Sequence, residues 1–177
     1  MQYPHLYRSP LGTITLAADS EGLTGLWFEG QKYFAATLDA RHEETMLPIF
    51  EQTRRWLDNY FGGNDPGPTP PLHLQGSPFR LAVWEILRQI PFGKTITYGE
   101  IAREIARRQG SKTVPAQAVG GAVGHNPVSI IVPCHRVVGS NGSLTGYAGG
   151  IERKVRLLAL EKADMTGLFA PQKGTAL

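Results

Sequence analysis

The sequence predicts an α/β protein of the α+β kind: a small N-terminal antiparallel sheet with helices, joined to a mainly helical C-terminal domain that contains a helix-turn-helix and a strand leading to the lone cysteine. Three observations predict it. Short runs of strand formers stand near the start, a stretch rich in proline and glycine interrupts the chain before residue 77, and three helical patterns follow. With 177 residues and 41% hydrophobic side chains, the chain can bury one good core or two small ones.

The first strands are Gly12 to Ala18 and Leu23 to Phe28, and the polar turn Asp19-Ser20-Glu21-Gly22 between them makes a hairpin. From Leu47 to Phe61 a helical spacing places Phe50, Thr53, Trp56, Leu57, Tyr60 and Phe61 on one side, and Gly62-Gly63 stops it. The run Asn64-Asp65-Pro66-Gly67-Pro68-Thr69-Pro70-Pro71 admits neither helix nor central strand, so residues 62–76 read as a linker after a domain of residues 1–72. Ser77-Pro78 then caps a helix whose buried stripe is Phe79, Val83, Ile86, Leu87 and Ile90, ended by Pro91-Phe92-Gly93. After Thr95-Ile96-Thr97-Tyr98 a second helix runs to about Gln109, with Ile101, Ala102 and Ile105 inward and Arg103, Arg107 and Arg108 outward. A third starts near Pro115 and ends before Asn126-Pro127, completing a helix-turn-helix outline within a domain of residues 77–163. Residues 164–177 read as a loose tail.

Charge divides along the same line. Residues 1–72 carry 5 basic and 9 acidic side chains, net −4, whereas residues 73–177 carry 13 and 6, net +7. A polyanion meeting only the second domain would explain the split, and so would uneven solvated charge. The longest apolar runs, such as Ser129 to Val132, are far too short to span a bilayer, and the start lacks a secretion-signal pattern, so a cytoplasmic protein without membrane contact is expected. One cysteine excludes an internal disulfide, a four-cysteine zinc site and an iron–sulfur cluster; Cys134 is a buried filler or a reactive thiol.

The third helix is built from Ala116, Gln117, Ala118, Val119, Gly120, Gly121, Ala122 and Val123. Each glycine costs a helix about 1 kcal/mol against alanine, so something must approach its backbone closely. Tight helix packing is one explanation. The other is nucleic acid, because a helix with full-sized side chains is about 10–12 Å across and the minor groove only about 6 Å wide.

Downstream, an apolar run ends in Pro133-Cys134-His135-Arg136-Val137. A thiol must become thiolate to attack, and a nearby imidazole can take its proton directly or through water. Adjacent residues of an extended strand face opposite ways, so this use of the pair requires a sharp turn at Pro133.

This segment resembles the active-site signature of the O6-alkylguanine-DNA alkyltransferase family. The likeness extends through Ser77-Pro78-Phe79, Val83-Trp84, Ile90-Pro91, Thr97-Tyr98-Gly99, Ala118-Val119-Gly120, Asn126-Pro127, Gly146-Tyr147-Ala148-Gly149-Gly150 and Leu157-Leu158-Ala159-Leu160-Glu161, while residues 1–72 match in size and outline only. The resemblance implies a monomer that binds double-stranded DNA carrying O6-alkylguanine, flips the base and takes the alkyl group irreversibly onto Cys134, with activity extending to O4-alkylthymine and cooperativity along DNA left open. It implies no cofactor and no metal; some relatives hold zinc in the first domain through cysteine and histidine, and the first domain here has no cysteine.

Carried over by the same resemblance, the catalytic residues are Cys134 as acceptor, His135 as proton acceptor through water, Glu161 as the group orienting the imidazole, Tyr98 as donor to the guanine ring and Asn126 as a hinge between the third helix and the cysteine segment. Tyr98, Val132, Val137, Tyr147 and Ala148 would line the substrate. Ala116, Gln117, Ala118, Gly120 and Gly121 would meet DNA, and Arg136 would brace the domain. Gln117 stands where family members often insert an arginine into the duplex, which bears on lesion affinity and leaves the chemistry at Cys134 untouched.

Other readings explain less. A non-repairing damage sensor lacks the acceptor cysteine, a fused regulator needs more cysteines, a plain helix-turn-helix module leaves Cys134, His135 and Glu161 idle, and a cysteine hydrolase leaves the small-sided helix idle.

Overall fold

A computed structural model describes residues 1–43 and 45–171 of the chain. Strands β1 (Tyr3–Ser9), β2 (Gly12–Ala18) and β3 (Leu23–Phe28) are followed by helices α1 (Pro48–Phe61) and α2 (Pro78–Arg88), the short strand β4 (Ile96–Thr97), and helices α3 (Tyr98–Gln109) and α4 (Ala116–Gly124). A 3-10 turn over Cys134–Arg136, the short strand β5 (Val137–Val138) and helix α5 (Ile151–Leu160) complete the order. The chain divides into two compact units, Met1–Gln75 with Pro127–Ile131, and Gly76–Asn126 with Val132 onward. Among the described residues no helix is long and apolar enough to cross a membrane.

In the first unit, β1, β2 and β3 form an antiparallel sheet in that order. The hairpin between β2 and β3 is tied by Asp19, whose Oδ1 accepts the backbone N–H groups of Glu21 (2.9 Å) and Gly22 (3.1 Å). β1 was not legible in the sequence. It is the edge strand, only Tyr7 of it is buried, and Pro4 interrupts its strand-like composition, so it shows no clean alternation. Every residue of β3 is buried, and its second edge is covered. Leu23 donates to Pro71 O (2.9 Å) and accepts from His73 (2.8 Å), while Leu26 donates to Pro127 O (2.8 Å) and accepts from Ser129 (3.1 Å). The supposed linker therefore ends in residues paired to the sheet. Helix α1 starts on Pro48 and buries Phe50, Thr53, Leu57 and Tyr60, with Trp56 stacked on Tyr60 at 5.7 Å.

In the second unit, α2 is capped by Ser77 and α3 by a reciprocal pair in which Thr97 Oγ1 accepts from Glu100 N (3.1 Å) and Glu100 accepts from Thr97 N (2.7 Å). Gly110, in the left-handed region at φ 66°, ends α3. α4 packs on α2 and α3, and Trp84 Nε1 donates to Ala122 O (2.8 Å). β4 and β5 pair in parallel, Ile96 opposite Val137 and Thr97 opposite Val138.

Two expectations are corrected. No strand precedes Cys134; the apolar run is folded into tight turns instead. Ile131 N donates to Ser129 O (2.8 Å) across Ile130, which has a positive φ of 69°, and Cys134 N donates to Val132 O (2.8 Å) across Pro133 at φ −82°, ψ 65°. These are γ-turns, the second with the dihedral angles of the common inverse form. Hydrophobic runs without periodicity do not separate a buried strand from a buried turn. The loose tail is the second correction. Residues 172–177 lie outside the described residues, but Phe169 N donates to Gly142 O (3.0 Å) and accepts from Leu144 N (2.9 Å). Met165 and Leu168 pack against the cluster of Val138, Leu144, Leu158 and Ala163. Apolar residues separated by polar ones over so short a stretch make too weak a pattern to read.

Candidate active site

The turn at Pro133 sets Cys134 at the start of a single 3-10 turn, so that the thiol, His135 and Arg136 all lie inside the second unit. Cys134 is 3% exposed, His135 0%, Glu161 2% and Arg136 8%. The geometry the sequence required of Pro133, a sharp turn, is thus present.

Glu161 sits at the C-cap of α5 and gathers three donors. His135 Nε2 donates to its Oε2 (2.5 Å), while Arg136 Nε (2.7 Å) and the backbone N–H of Gly93 (3.0 Å) donate to its Oε1. Arg136 also donates through Nη1 to Ile90 O (2.6 Å), anchoring the pair to the end of α2. Burial raises the carboxyl's proton affinity, but the His135 and Arg136 contacts outweigh it and hold Glu161 well below the usual carboxylate range. Complete burial pushes His135 the other way, below its ordinary 6.5, against the pull of Glu161 and with the help of the Arg136 and Lys154 charges. The imidazole is therefore neutral with its proton on Nε2. That tautomer leaves Nδ1 as the basic nitrogen for a thiol proton.

Tyr98, the first residue of α3, is half-buried and donates its hydroxyl to Thr145 O (3.1 Å). Gly146 makes this approach possible: at φ 88°, a Cβ there would lie 2.5 Å from the Tyr98 oxygen. Burial, and then the neighbouring Cys134, raise the phenol above its ordinary 10.0, so Tyr98 stays protonated and a donor. Tyr147 is buried with its ring edge-on to His135, centroids 6.3 Å apart, and Ala148 beside it is half-buried. Val132 and Val137 flank the cysteine turn, both fully buried. Asn126, at the end of α4, donates Nδ2 to Val132 O (2.7 Å), linking that helix to the turn that carries Cys134. The structure therefore brings Cys134, His135, Glu161, Tyr147 and the Tyr98–Thr145 contact into one unit, with Asn126 tied to the same turn.

On α4, Val119, Ala122 and Val123 are buried, whereas Ala116, Gln117, Ala118 and Gly121 are exposed and Gly120 is half-buried. A Cβ at Gly120, Gly121 or Gly124 would meet nothing within 4 Å. Packing inside the protein does not call for these glycines, which removes the first of the two explanations for them.

Arg136 has the bracing contacts expected of it, through Ile90 O, and is also one of the groups that ionise Glu161. One residue of the site has no place in the sequence reading. Lys154 is fully buried and donates to Val137 O and to Thr145 O (3.2 Å). A signal for it existed, since Lys154 falls in phase with Leu157 and Leu158 on the buried stripe of α5.

A buried thiol in one turn with a neutral imidazole that is held by an ionised carboxylate, in a unit with a small-sided outward helix, is an arrangement in which a cysteine can be activated as a nucleophile. Residues 2–72 match the family model for the 6-O-methylguanine DNA methyltransferase ribonuclease-like domain, and residues 78–163 that for the DNA binding domain of the same family. The methylated-DNA–protein-cysteine methyltransferase of Haemophilus influenzae is 42% identical over 90% of this chain and 86% of its own. That of Methanosarcina acetivorans is 42% identical over 90% of this chain and 97% of its own. The crystal structure of Mycobacterium tuberculosis OGT in complex with DNA is similar at a TM-score of 0.78 and 40% identity, covering 93% of this chain and 98% of that one. The chain belongs to the 6-O-methylguanine DNA methyltransferase family.

Proposed function

We propose that this protein repairs DNA by transferring the alkyl group of O6-alkylguanine, and of O4-alkylthymine, to Cys134 in a single turnover. The observation that carries the reading is that buried Cys134 shares one 3-10 turn with His135, whose Nε2 is held by an ionised carboxylate. The thiol proton passes to His135 Nδ1, directly or through a water, and the thiolate sulfur attacks the alkyl carbon in line. The carbon–oxygen bond breaks, its electron pair stays on the base, and Tyr98 donates its phenol to the ring nitrogen that gains charge. The product thioether has no leaving route, so one molecule repairs one lesion. A thiol used this way must stay reduced, which suits the cytoplasm.

DNA is the partner, and α4 is the element read as entering the minor groove, because its glycine face serves nothing inside the protein. Ala116, Ala118, Gly120 and Gly121 let the backbone approach, and Gln117 fills the gap left by the flipped nucleotide. Asn126 holds the turn after α4 to the segment before Cys134, and Val132, Val137, Tyr147 and Ala148 border the bound base and its alkyl group.

The test is intact mass after incubation with duplex DNA containing O6-methylguanine. The expected result is a stable gain of one methylene on the peptide containing Cys134 and none in Cys134→Ser. Binding without a mass change, or methylation of the serine variant, would overturn the reading.

A further inference from the structure

Lys154 has no part in the chemistry set out above, yet among the described residues it is the one lysine in the group of largest fully buried side chains. A buried ammonium has to satisfy three donors, and placing one inside a protein is unfavourable unless the position serves something. Its hydrogen-bond partners are backbone carbonyls, Val137 O at the strand after the cysteine turn and Thr145 O in the loop that carries Tyr147 and Ala148. Thr145 O is also the acceptor for the Tyr98 phenol, so two donors share one carbonyl at 3.1 Å and 3.2 Å.

We propose that Lys154 is a positioning residue for Tyr98: it holds the Thr145 carbonyl satisfied so that the phenol can leave it and turn to the bound base. This rests on the reading that Tyr98 donates to the base. Without Lys154, a phenol that swung toward substrate would abandon a carbonyl inside the site, and that loss would oppose the donation. With Lys154 the carbonyl keeps one donor throughout, and the phenol is exchanged between two acceptors. The same ammonium fixes Val137 and Thr145 relative to each other, so the wall of the pocket and the acceptor of Tyr98 move together or not at all. The charge is held here at a cost: burial brings Lys154 down to about 8, the nearby Cys134 works against that fall, and the Lys154 charge in turn disfavours a charged His135.

The experiment is a double-mutant cycle on the rate constant for transfer from free O6-benzylguanine, with Tyr98→Phe and Lys154→Met made singly and together, and folding checked by thermal melting. Tyr98→Phe alone is expected to slow transfer roughly tenfold or more. In the Lys154→Met protein the same tyrosine change should cost at least about fivefold less, a coupling within the range that contacting groups show. Lys154→Arg, which keeps a charged donor, should restore most of the tyrosine effect. If Lys154→Met does not fold, Lys154→Gln takes its place, and a reduced tyrosine effect there supports the proposal. An unchanged tyrosine effect in a folded Met or Gln variant overturns it. If Tyr98→Phe in the natural background leaves the rate unaltered, the reading of Tyr98 itself fails, which is a separate result.

Discussion

Among the described residues the same chemical pair, a histidine against a carboxylate, occurs in two environments. In the first unit His73 Nδ1 lies 2.6 Å from Asp19 Oδ2, with Glu21 Oε2 at 3.6 Å from its other nitrogen, and the two paired side chains are 26% and 16% exposed. In the second unit His135 lies 2.5 Å from Glu161, and both side chains are fully buried. The shifts have opposite signs. The bond to Asp19 outweighs desolvation and raises His73 above its ordinary 6.5, whereas desolvation outweighs the bond to Glu161 and lowers His135. A hydrogen bond to a carboxylate therefore does not by itself make an imidazole a cation; water access decides. His73 with Asp19 is a partly exposed pair that fastens the end of the linker segment to the β2–β3 turn. His135 with Glu161 is an oriented neutral base.

The largest test of this contrast is Glu161→Gln. The amide cannot answer Arg136 with a charge, and it need not accept from His135 Nε2, so the imidazole loses its orientation. Breaking one side of a buried ion pair costs about 3–5 kcal/mol, and losing general-base assistance costs on the order of 10²–10⁴ in rate. Thermal unfolding and single-turnover transfer would read both. A folded Glu161→Gln protein with near-normal transfer would show that the carboxylate only braces the fold.

Titration is the next test. His73 should be protonated at a pH above 6.5 and His135 should not, which two-dimensional NMR of the imidazole carbons can follow. The consequences for stability have opposite slopes. A raised pKa in the folded state means that His73 contributes fully below the unfolded value and loses that contribution as pH rises through the folded one. Asp19, lowered below its ordinary 3.8 on balance although burial works against this, contributes above that value and loses it on acidification through its folded pKa. His135 resists protonation when folded, so its contribution is present above 6.5 and falls as the unfolded chain gains a proton below it. Across about pH 5 to 8 the first unit should therefore weaken on the alkaline side and the second on the acid side. Equal slopes in both units would break the comparison.

Much of this was legible in the sequence, and the exceptions have physical reasons. Helices α1 to α4 announce themselves by period or by their bounding prolines and glycines, as with Ser77-Pro78 before α2, since those signals are local. Cys134 and His135 stand adjacent, so their partnership could be suspected; Glu161, 26 residues on, could be placed only through resemblance. The turn at Pro133 was required by the chemistry of the adjacent pair, whereas the γ-turn at Ile130 left no signal, because side chains there report burial and not backbone direction. Arg136 could be given a bracing role only through resemblance, and the one local sign of Lys154 is its phase with Leu157 and Leu158 on α5, which does not say what the ammonium would bind. The glycines of α4 were visible at once, but only the empty space around them separates close packing from an outside partner.

The smallest expected effect belongs to Asp19→Asn, and its smallness is the point. Asparagine keeps the Oδ1 acceptor that binds Glu21 and Gly22, so the hairpin turn survives and only the charge toward His73 is removed. Exposed and half-exposed pairs contribute about 0–1 kcal/mol, less still in salt. Glu21 also lies within reach of His73 and carries part of the attraction. The variant should thus lower the thermal midpoint of the first unit slightly, bring His73 back toward 6.5, and leave transfer to Cys134 unaltered. Melting at low and high salt, with NMR of His73, checks each part. A loss as large as that of Glu161→Gln would mean that the Asp19 pair is held as tightly as the buried one, and that access of water is not what sets the two histidines apart.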